Sequence, residues 1–413
     1  MKEEQPTRYR WMDRALLAGI RKLANPVPVR IEIAGTAPQP CCDGLPAIRL
    51  EDRRALIALL RNPGINFGEL YSQGKLEIEG DLVQVLESLY RIPQGTVARM
   101  ASRWFGWMQS NSLRGSRKNI HHHYDISNDF YKLWLDSEMV YTCAYFPRED
   151  ATLEEAQRAK LDLVCRKMWL RPGETVVEAG CGWGALALHM ARHYGVRVKA
   201  FNISHEQIAY ARERAQQEGL ASQVEFIEDD YRNIDGNFDA FVSVGMLEHV
   251  GRDHYHEFAN VIRRAIGERG RGLLHFIGRN RPQPLSAWIR KRIFPGGYTP
   301  ALREVMAMLE PHNFSVLDVE NLRFHYAKTC EHWLRRFERC FDGVTEKFGP
   351  TFARMWRLYL AGSTAAFRAG TLQLFQVVFA GRACQSLPFT REHLYQKTGE
   401  QSGQDVEWIH AMS

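Results

Sequence analysis

No apolar stretch in this 413-residue chain approaches the roughly 18 residues that a helical membrane span requires. The run ALIALL at 55–60 falls far short, so an integral helical membrane protein is not expected. The N-terminus lacks a signal peptide's apolar core, and the eight cysteines, two of them adjacent (Cys41, Cys42), include no C-x-x-C pair. Both absences read as a reducing, cytoplasmic setting. Metal-ligand spacing is missing too: the histidines at 121–123 are adjacent and do not converge easily on one ion. His189 and His193 stand i, i+4 without the glutamate of H-E-x-x-H and are expected at the surface. A strong charge of one sign is also lacking. The net charge is +6, with part of the excess in Arg8, Arg10, Arg14, Arg21, Lys22 and Arg30. Such a face suits anionic lipid or nucleic acid, or is simply solvated surface.

The length predicts more than one domain. Residues 174–190, ETVVEAGCGWGALALHM, join a β-branched run, a loop with glycine at every second position and an alanine/leucine-rich run: strand, tight turn, helix. Gly180, Gly182 and Gly184 remove the Cβ atoms that would keep a ligand from the backbone. The spacing is G-x-G-x-G, not the dinucleotide fingerprint, and no G-K-[ST] follows to hold phosphates. A nucleoside without phosphates fits better, and S-adenosylmethionine is such a ligand. A second strand is expected at 197–203, and the next helix carries Gln207 in its first turn, where an amide could reach a ribose hydroxyl.

Residues 1–95 read as a small α+β domain of lipid-binding or dimerisation type, with an extended stretch at 27–33, turn signals at Pro63-Gly64 and Gly80-Asp81, a strand at 75–79 and a helix from Asp81. A basic linker at 96–119 carries the aromatic residues Trp104, Phe105 and Trp107. From 120 to 390 a helix at 153–169 precedes strands at 175–179, 197–203, 224–229, 238–244, 271–277 and 314–320, with helices between them. A long helical stretch at 328–368 and a late strand at 372–380, expected at the sheet edge, follow, and 391–413 is a tail. The fold class is therefore α/β, a Rossmann-like seven-stranded sheet of the class I methyltransferase kind with a small α+β N-terminal domain.

The segments HYDISNDFYKLWLD, YTCAYF, EAGCGWGALA, ISHEQ, DDYRNIDGNFDAFVSVGMLEHVG, LLHFIGRN, IFPGGYTP, HYAKTCEHW and FRAGTLQLFQVVF occur in order. With them the chain resembles the cyclopropane-fatty-acyl-phospholipid synthases over about 120–385, and FGELYSQGKLEIEGDL is similar to that family's N-terminal domain. The resemblance implies methyl transfer from S-adenosylmethionine to a cis double bond of a membrane phospholipid acyl chain, followed by ring closure. An alkene is a poor nucleophile, so such a reaction relies on a dry pocket and on positioning, with aromatic faces to stabilise carbocation character and a base to take a proton.

The resemblance further implies bicarbonate as the base, held at positions matching Cys143, Glu248, His275, Ile277 and Tyr326; Glu248 alone is the other candidate base. Cofactor roles implied in the same way fall on Tyr141, Thr142, Gly180, Cys181, Gly182, Gly184, Asn202, Gln207 and Asp230. Departures from the family pattern are Glu178 for Asp, Asn202 for Thr, Phe276 for Thr, and Ser363 where many members have Cys. The implied partners are membrane phospholipids, reached by peripheral contact through basic residues, the 104–107 patch and Arg290–Arg292 beside Ile293 and Phe294. A homodimer is an open expectation, and no nucleic acid is expected because VSVGMLEH lacks the Asn/Asp-Pro-Pro-aromatic motif of base amino-methylation. Two alternatives remain at this stage: a fatty-acyl methyltransferase giving a branched product, and a lipid-binding protein without activity.

Overall fold

The computed structural model describes residues 29–34, 45–91 and 127–395. The basic residues before 29, Cys41, Cys42, the histidines at 121–123 and the linker expected at 96–119, with Trp104, Phe105 and Trp107, lie outside the described residues.

Near the N-terminus, β1 (Arg30–Ile33) pairs in parallel with β2 (Ala47–Leu50), and β2 pairs antiparallel with β3 (Leu76–Glu79). Helices α1 (Arg53–Arg61), α2 (Pro63–Ser72) and α3 (Leu82–Tyr90) complete this layer. Asp52 and Asp81 cap α1 and α3 by accepting the N–H of the third helical residue. The break expected at Pro63-Gly64 falls one residue earlier, at Asn62. Pro63 itself opens α2, where its missing N–H is no loss.

After the short α4 (Asn128–Lys132), Thr152 and Glu155 form a reciprocal capping box that starts α5 (Leu153–Lys167). The large sheet then alternates with helices: β4 (Thr175–Ala179), α6 (Ala185–Tyr194), β5 (Arg197–Asn202), α7 (His205–Gln217), β6 (Val224–Glu228), β7 (Ala240–Val244), α8 (Leu247–Val250), α9 (Tyr255–Ile266) and β8 (Arg271–Gly278). Helices α10 (Ala287–Arg292) and α11 (Leu302–Leu309) lead to β9 (Phe314–Asn321). The expected single helical stretch at 328–368 is three helices, α12 (Arg323–Arg339), α13 (Phe341–Phe348) and α14 (Pro350–Arg368). Cys340 and Gly349-Pro350 separate them. β10 (Gln373–Gly381) closes the chain's regular structure.

Strand order is β6-β5-β4-β7-β8-β10-β9. β10 runs antiparallel to both neighbours. It does not form the sheet edge, as expected from sequence: it inserts between β8 and β9, leaving β9 outermost. Every residue of β10 is buried, whereas β9 alternates between covered and exposed positions, so apolar content tracks position in the sheet. The chain adds strands outward from β4 to β6 and then returns to β7 on β4's other flank. That reversal opens a crevice at the carboxyl ends of β4 and β7, where ligands bind in open α/β sheets.

The N-terminal layer rests on the helices beside this crevice. Arg354 of α14 donates to the carbonyls of Tyr71 and Leu76. A Cβ on Gly68 of α2 would come within 2.4 Å of the Trp288 indole of α10. Glu69 pairs with both Lys291 and Arg292.

Candidate active site

Two half-sites meet at the crevice. The first is a cavity of about 110 Å³ over the loop between β4 and α6. Its wall includes Tyr141, Thr142, Lys160, Glu178, Gly180, Cys181, Gly182, Trp183, Asn202, Gln207, Gly245 and Met246. The loop glycines differ in what constrains them. Gly182 has φ +53° and only open space where a Cβ would stand, so a side chain there would enter the cavity. Gly180 is tight against Met246, and Gly184 against Phe226 and Ala211.

At one flank, Asn202 at the end of β5 donates to the Gln207 side-chain oxygen (2.7 Å) and to the Gly182 carbonyl (3.3 Å). Both amides thus lie where a ligand's hydroxyls can bond them. At the opposite flank, Lys160 of α5 donates to Thr142 Oγ1 at 3.0 Å. Burial pushes the Glu178 carboxyl up to about 8, against the pull of Lys160, and burial brings Lys160 down to about 8.

The expected cofactor residues Tyr141, Thr142, Gly180, Cys181, Gly182, Asn202 and Gln207 line this cavity. Gly184 and Asp230 do not. Gly184 is placed by helix packing, and Asp230 caps the turn 231–233 while its carboxylate pairs with Arg232 at 3.1 Å. Lys160, Trp183, Gly245 and Met246 escaped the sequence reading. Trp183 alone had a visible signal, its place inside the glycine loop.

The second half-site lies between the ends of β7, β8 and β10. Glu248, on the one-turn helix α8, is buried; its Oε1 accepts the Ile277 main-chain N–H at 2.5 Å, and its Oε2 is buried without a partner. Burial pushes this carboxyl up to about 7, opposed by the Ile277 N–H. His275 is buried on the strand that carries Ile277. The Gln376 amide donates to its Nδ1 at 3.0 Å, which leaves the proton on Nε2, and Nε2 is buried without a partner. Burial, with Lys160 and Lys167 adding, holds this imidazole neutral.

Cys143 and Tyr326 reach the same region through Leu322. The thiol donates to the Ala144 carbonyl at 3.2 Å and lies 4.0 Å from the Leu322 carbonyl, which accepts the Tyr326 N–H, while the Leu322 N–H donates to Leu374, the partner of Ile277 across the sheet. Burial raises the Tyr326 phenol, and the charges of Cys143 and Glu248 act in the same direction. The structure thus brings the five expected residues into one region with a changed role for Ile277: its N–H is engaged by Glu248 and positions that carboxyl.

A buried cluster of aromatic side chains links the two half-sites. Tyr141 and Tyr359 share a hydroxyl–hydroxyl bond of 2.7 Å, Tyr141 packs on Trp134 and Trp333 at 5.3 Å each, and Tyr326 stacks on Phe367 at 4.5 Å. Phe294, expected at the membrane face, instead sits against Tyr359 and His249, and Ile293 is fully buried. Lys291 and Arg292 are paired with Glu69. This segment therefore packs on the aromatic cluster, because its apolar residues find a better-covered surface inside than outside.

Among the described residues no cluster of His, Cys, Asp or Glu could hold a metal ion. His193 is exposed, as the sequence placed it, whereas His189 is half-buried, its ring 4.5 Å from that of His193. No helix among the described residues is long and apolar enough to cross a membrane.

Residues 111–377 match the family model described as mycolic acid cyclopropane synthetase. The chain is 36% identical over 352 residues to a Pseudomonas putida protein named "Probable fatty acid methyltransferase", covering 82% of this chain and 89% of that one. It is 34% identical over 377 residues to the cyclopropane-fatty-acyl-phospholipid synthase of Escherichia coli K12, covering 87% and 93%. Among solved structures, the mycolic acid cyclopropane synthase CmaA1 complexed with SAH and CTAB superposes with a TM-score of 0.61 at 31% identity, covering 64% of this chain and 97% of that one.

Proposed function

The chain belongs to the mycolic acid cyclopropane synthetase family of S-adenosylmethionine-dependent methyltransferases, and from that membership we propose that it converts the cis double bond of an unsaturated phospholipid acyl chain into a cyclopropane ring. The observation that carries the reading is the adjacency of the two half-sites. A glycine-floored cavity lies beside a buried aromatic cluster, on whose far side a buried carboxyl and a neutral imidazole keep uncommitted polar atoms.

Electron pairs move in a definite order. The alkene π pair forms the new C–C bond to the cofactor's methyl carbon as the C–S bond breaks and its pair stays on sulfur. Positive charge develops on the acyl chain, where the π faces of Tyr141, Trp333 and Tyr326 can stabilise it and where their bulk excludes water. A C–H pair of the new methyl then closes the ring, and its proton leaves to a base.

Bicarbonate fits the polar wall as that base: His275 Nε2–H can donate to an anion, and ionised Glu248 can accept a hydroxyl proton through Oε2. When bound it supplies proton acceptance. The protein's part is to hold it, with Ile277 fixing the Glu248 carboxyl and Gln376 fixing the His275 tautomer.

Membrane phospholipids are the proposed acceptors, reached by peripheral contact. The relative named as a fatty acid methyltransferase supports a second product: proton loss from a neighbouring chain carbon gives a methyl-branched alkene with the same added CH₂. Expression in a host without cyclopropane lipids, followed by lipid mass spectrometry, tests CH₂ addition to unsaturated chains. Ozonolysis of the product separates the two outcomes, since only the branched alkene is cleaved. Lipids of unchanged mass would refute both.

A further inference from the structure

Lys160 is an anomaly in its surroundings. Its side chain is almost wholly inside the protein, 1% exposed, yet it forms part of the cofactor cavity's wall. The ammonium has three N–H donors; one serves the neutral hydroxyl of Thr142, and no carboxylate among the described residues lies within the 4.0 Å of an ion pair. Two carboxyl groups, Asp136 and Glu178, act on it electrostatically without touching it. Asp136 accepts the main-chain N–H groups of Glu138 and Val140. Burial pushes the Glu178 carboxyl up. An ammonium buried with no carboxylate in contact is costly, and a cavity at its tip makes an anionic ligand group the natural partner.

The sheet order says which group. Asn202 ends β5 on one side of Gly180, and Gly245, against whose Cα the Thr142 methyl packs, follows β7 on the other. A ligand whose ribose bonds Asn202 and Gln207 therefore extends its other end across the loop toward Thr142 and Lys160. In S-adenosylmethionine that end is an amino acid with a free carboxylate.

We propose that Lys160 is a cofactor-binding residue whose ammonium pairs with the α-carboxylate of S-adenosylmethionine, with Thr142 holding the side chain in register. This rests on the reading of the cavity as the cofactor site. Lys160 thereby selects ligands that carry the amino-acid end over bare nucleosides.

Calorimetry on the full chain tests the pairing with two ligands, S-adenosylhomocysteine and 5′-methylthioadenosine, which share the nucleoside and thioether but differ in the amino acid. Lys160→Met should weaken the first on the order of 10- to 100-fold, the range for one charge-assisted bond, and leave the second within about twofold. Should that variant fail to fold, Lys160→Gln carries the same comparison, because it removes the charge and, though one atom shorter, retains N–H donors. Equal losses for both ligands, or no loss for S-adenosylhomocysteine, would overturn the proposal. Wild-type protein that binds neither ligand would overturn the cofactor-site reading itself and the proposal with it.

Discussion

Gly182 and its two neighbours look alike in the sequence, yet the structure gives them different jobs and so different expected phenotypes. Gly182→Asp should abolish S-adenosylmethionine binding in calorimetry while the fold survives, because the new side chain enters the cavity; its left-handed backbone adds a stability cost of about 1–2 kcal/mol. Gly184→Ala should behave in the opposite sense, losing stability first, because its Cβ would lie within 2.9 Å of Phe226 and Ala211 atoms. Undiminished cofactor affinity in folded Gly182→Asp would remove the loop from the site.

Glu248 allows a pH test in which activity and stability run in opposite directions. To accept a proton the carboxyl must be ionised, so turnover should rise with pH through about 7, the value to which burial pushes it. Its folded value is raised above the ordinary 4.5, so its contribution to stability is full below about 4.5 and is lost as pH rises through about 7. Glu248→Gln should therefore lose most turnover, match wild type in thermal stability near pH 4.5 and exceed it near pH 8. Tyr326→Phe should also lose turnover and keep cofactor affinity. Bicarbonate added to a depleted assay should raise the wild-type rate; full activity without it, with both variants unimpaired, would contradict the polar wall's role. The residues of this wall were legible through family motifs, whereas the engagement of the Ile277 N–H by Glu248 was not. It joins residues 29 apart in sequence through one backbone donor, and no local pattern encodes that.

At the scale of elements, the strands of the large sheet were legible almost to the residue because buried strands are short apolar runs bounded by turn residues, whereas β2 (Ala47–Leu50) was not anticipated. The three-helix division at 323–368 was less visible, since Cys340 is no helix breaker and only Gly349-Pro350 carries a stop signal. The contact of α2 with α10 was invisible. Gly68 reads as a weak point in a helix, but it is small because the Trp288 indole occupies the space of its Cβ. Gly68→Ala should cost about 1–3 kcal/mol in denaturant unfolding through overpacking, and Trp288→Leu in the same chain should recover part of it. Additive losses would show that the two residues do not share the contact. Because α10 leads directly into Phe294, disturbance here should reach the aromatic cluster and lower turnover more than cofactor affinity.

For the whole molecule, the membrane reading changes its supporting residues. Arg292 and Lys291 share the single carboxylate of Glu69 and Ile293 is internal, so this segment keeps part of its charge for an anionic surface but not the apolar insertion of Ile293. On the described surface Phe324 is 71% exposed beneath the Arg323 guanidinium, 4.2 Å from its ring centre, a pairing of charge and apolar area at the start of α12. Each basic side chain near an anionic surface adds about 1 kcal/mol, so a few suffice for reversible binding. Cosedimentation should show binding to anionic vesicles that weakens with salt, and lipid mass spectrometry should show CH₂ addition to unsaturated chains alone. Equal binding at low and high salt would remove the electrostatic part, and modification of saturated lipid would remove the alkene mechanism.

The sequence by itself determined the class of fold, the glycine-floored loop and the chemistry of the family, because strand periodicity, turn residues and motif order are local properties written along the chain. The tertiary structure alone decided that β10 lies inside the sheet, that Gly184 and Asp230 stand off the cavity wall, and that Phe294 packs on the aromatic cluster. It also decided that Lys160, an ordinary helix lysine in sequence, ends as a buried ammonium at the cavity over the glycine loop. The physical reason is common to all four: burial, electrostatic partnership and close approach depend on which distant residues share a volume, and that is fixed only when the sheet closes around them.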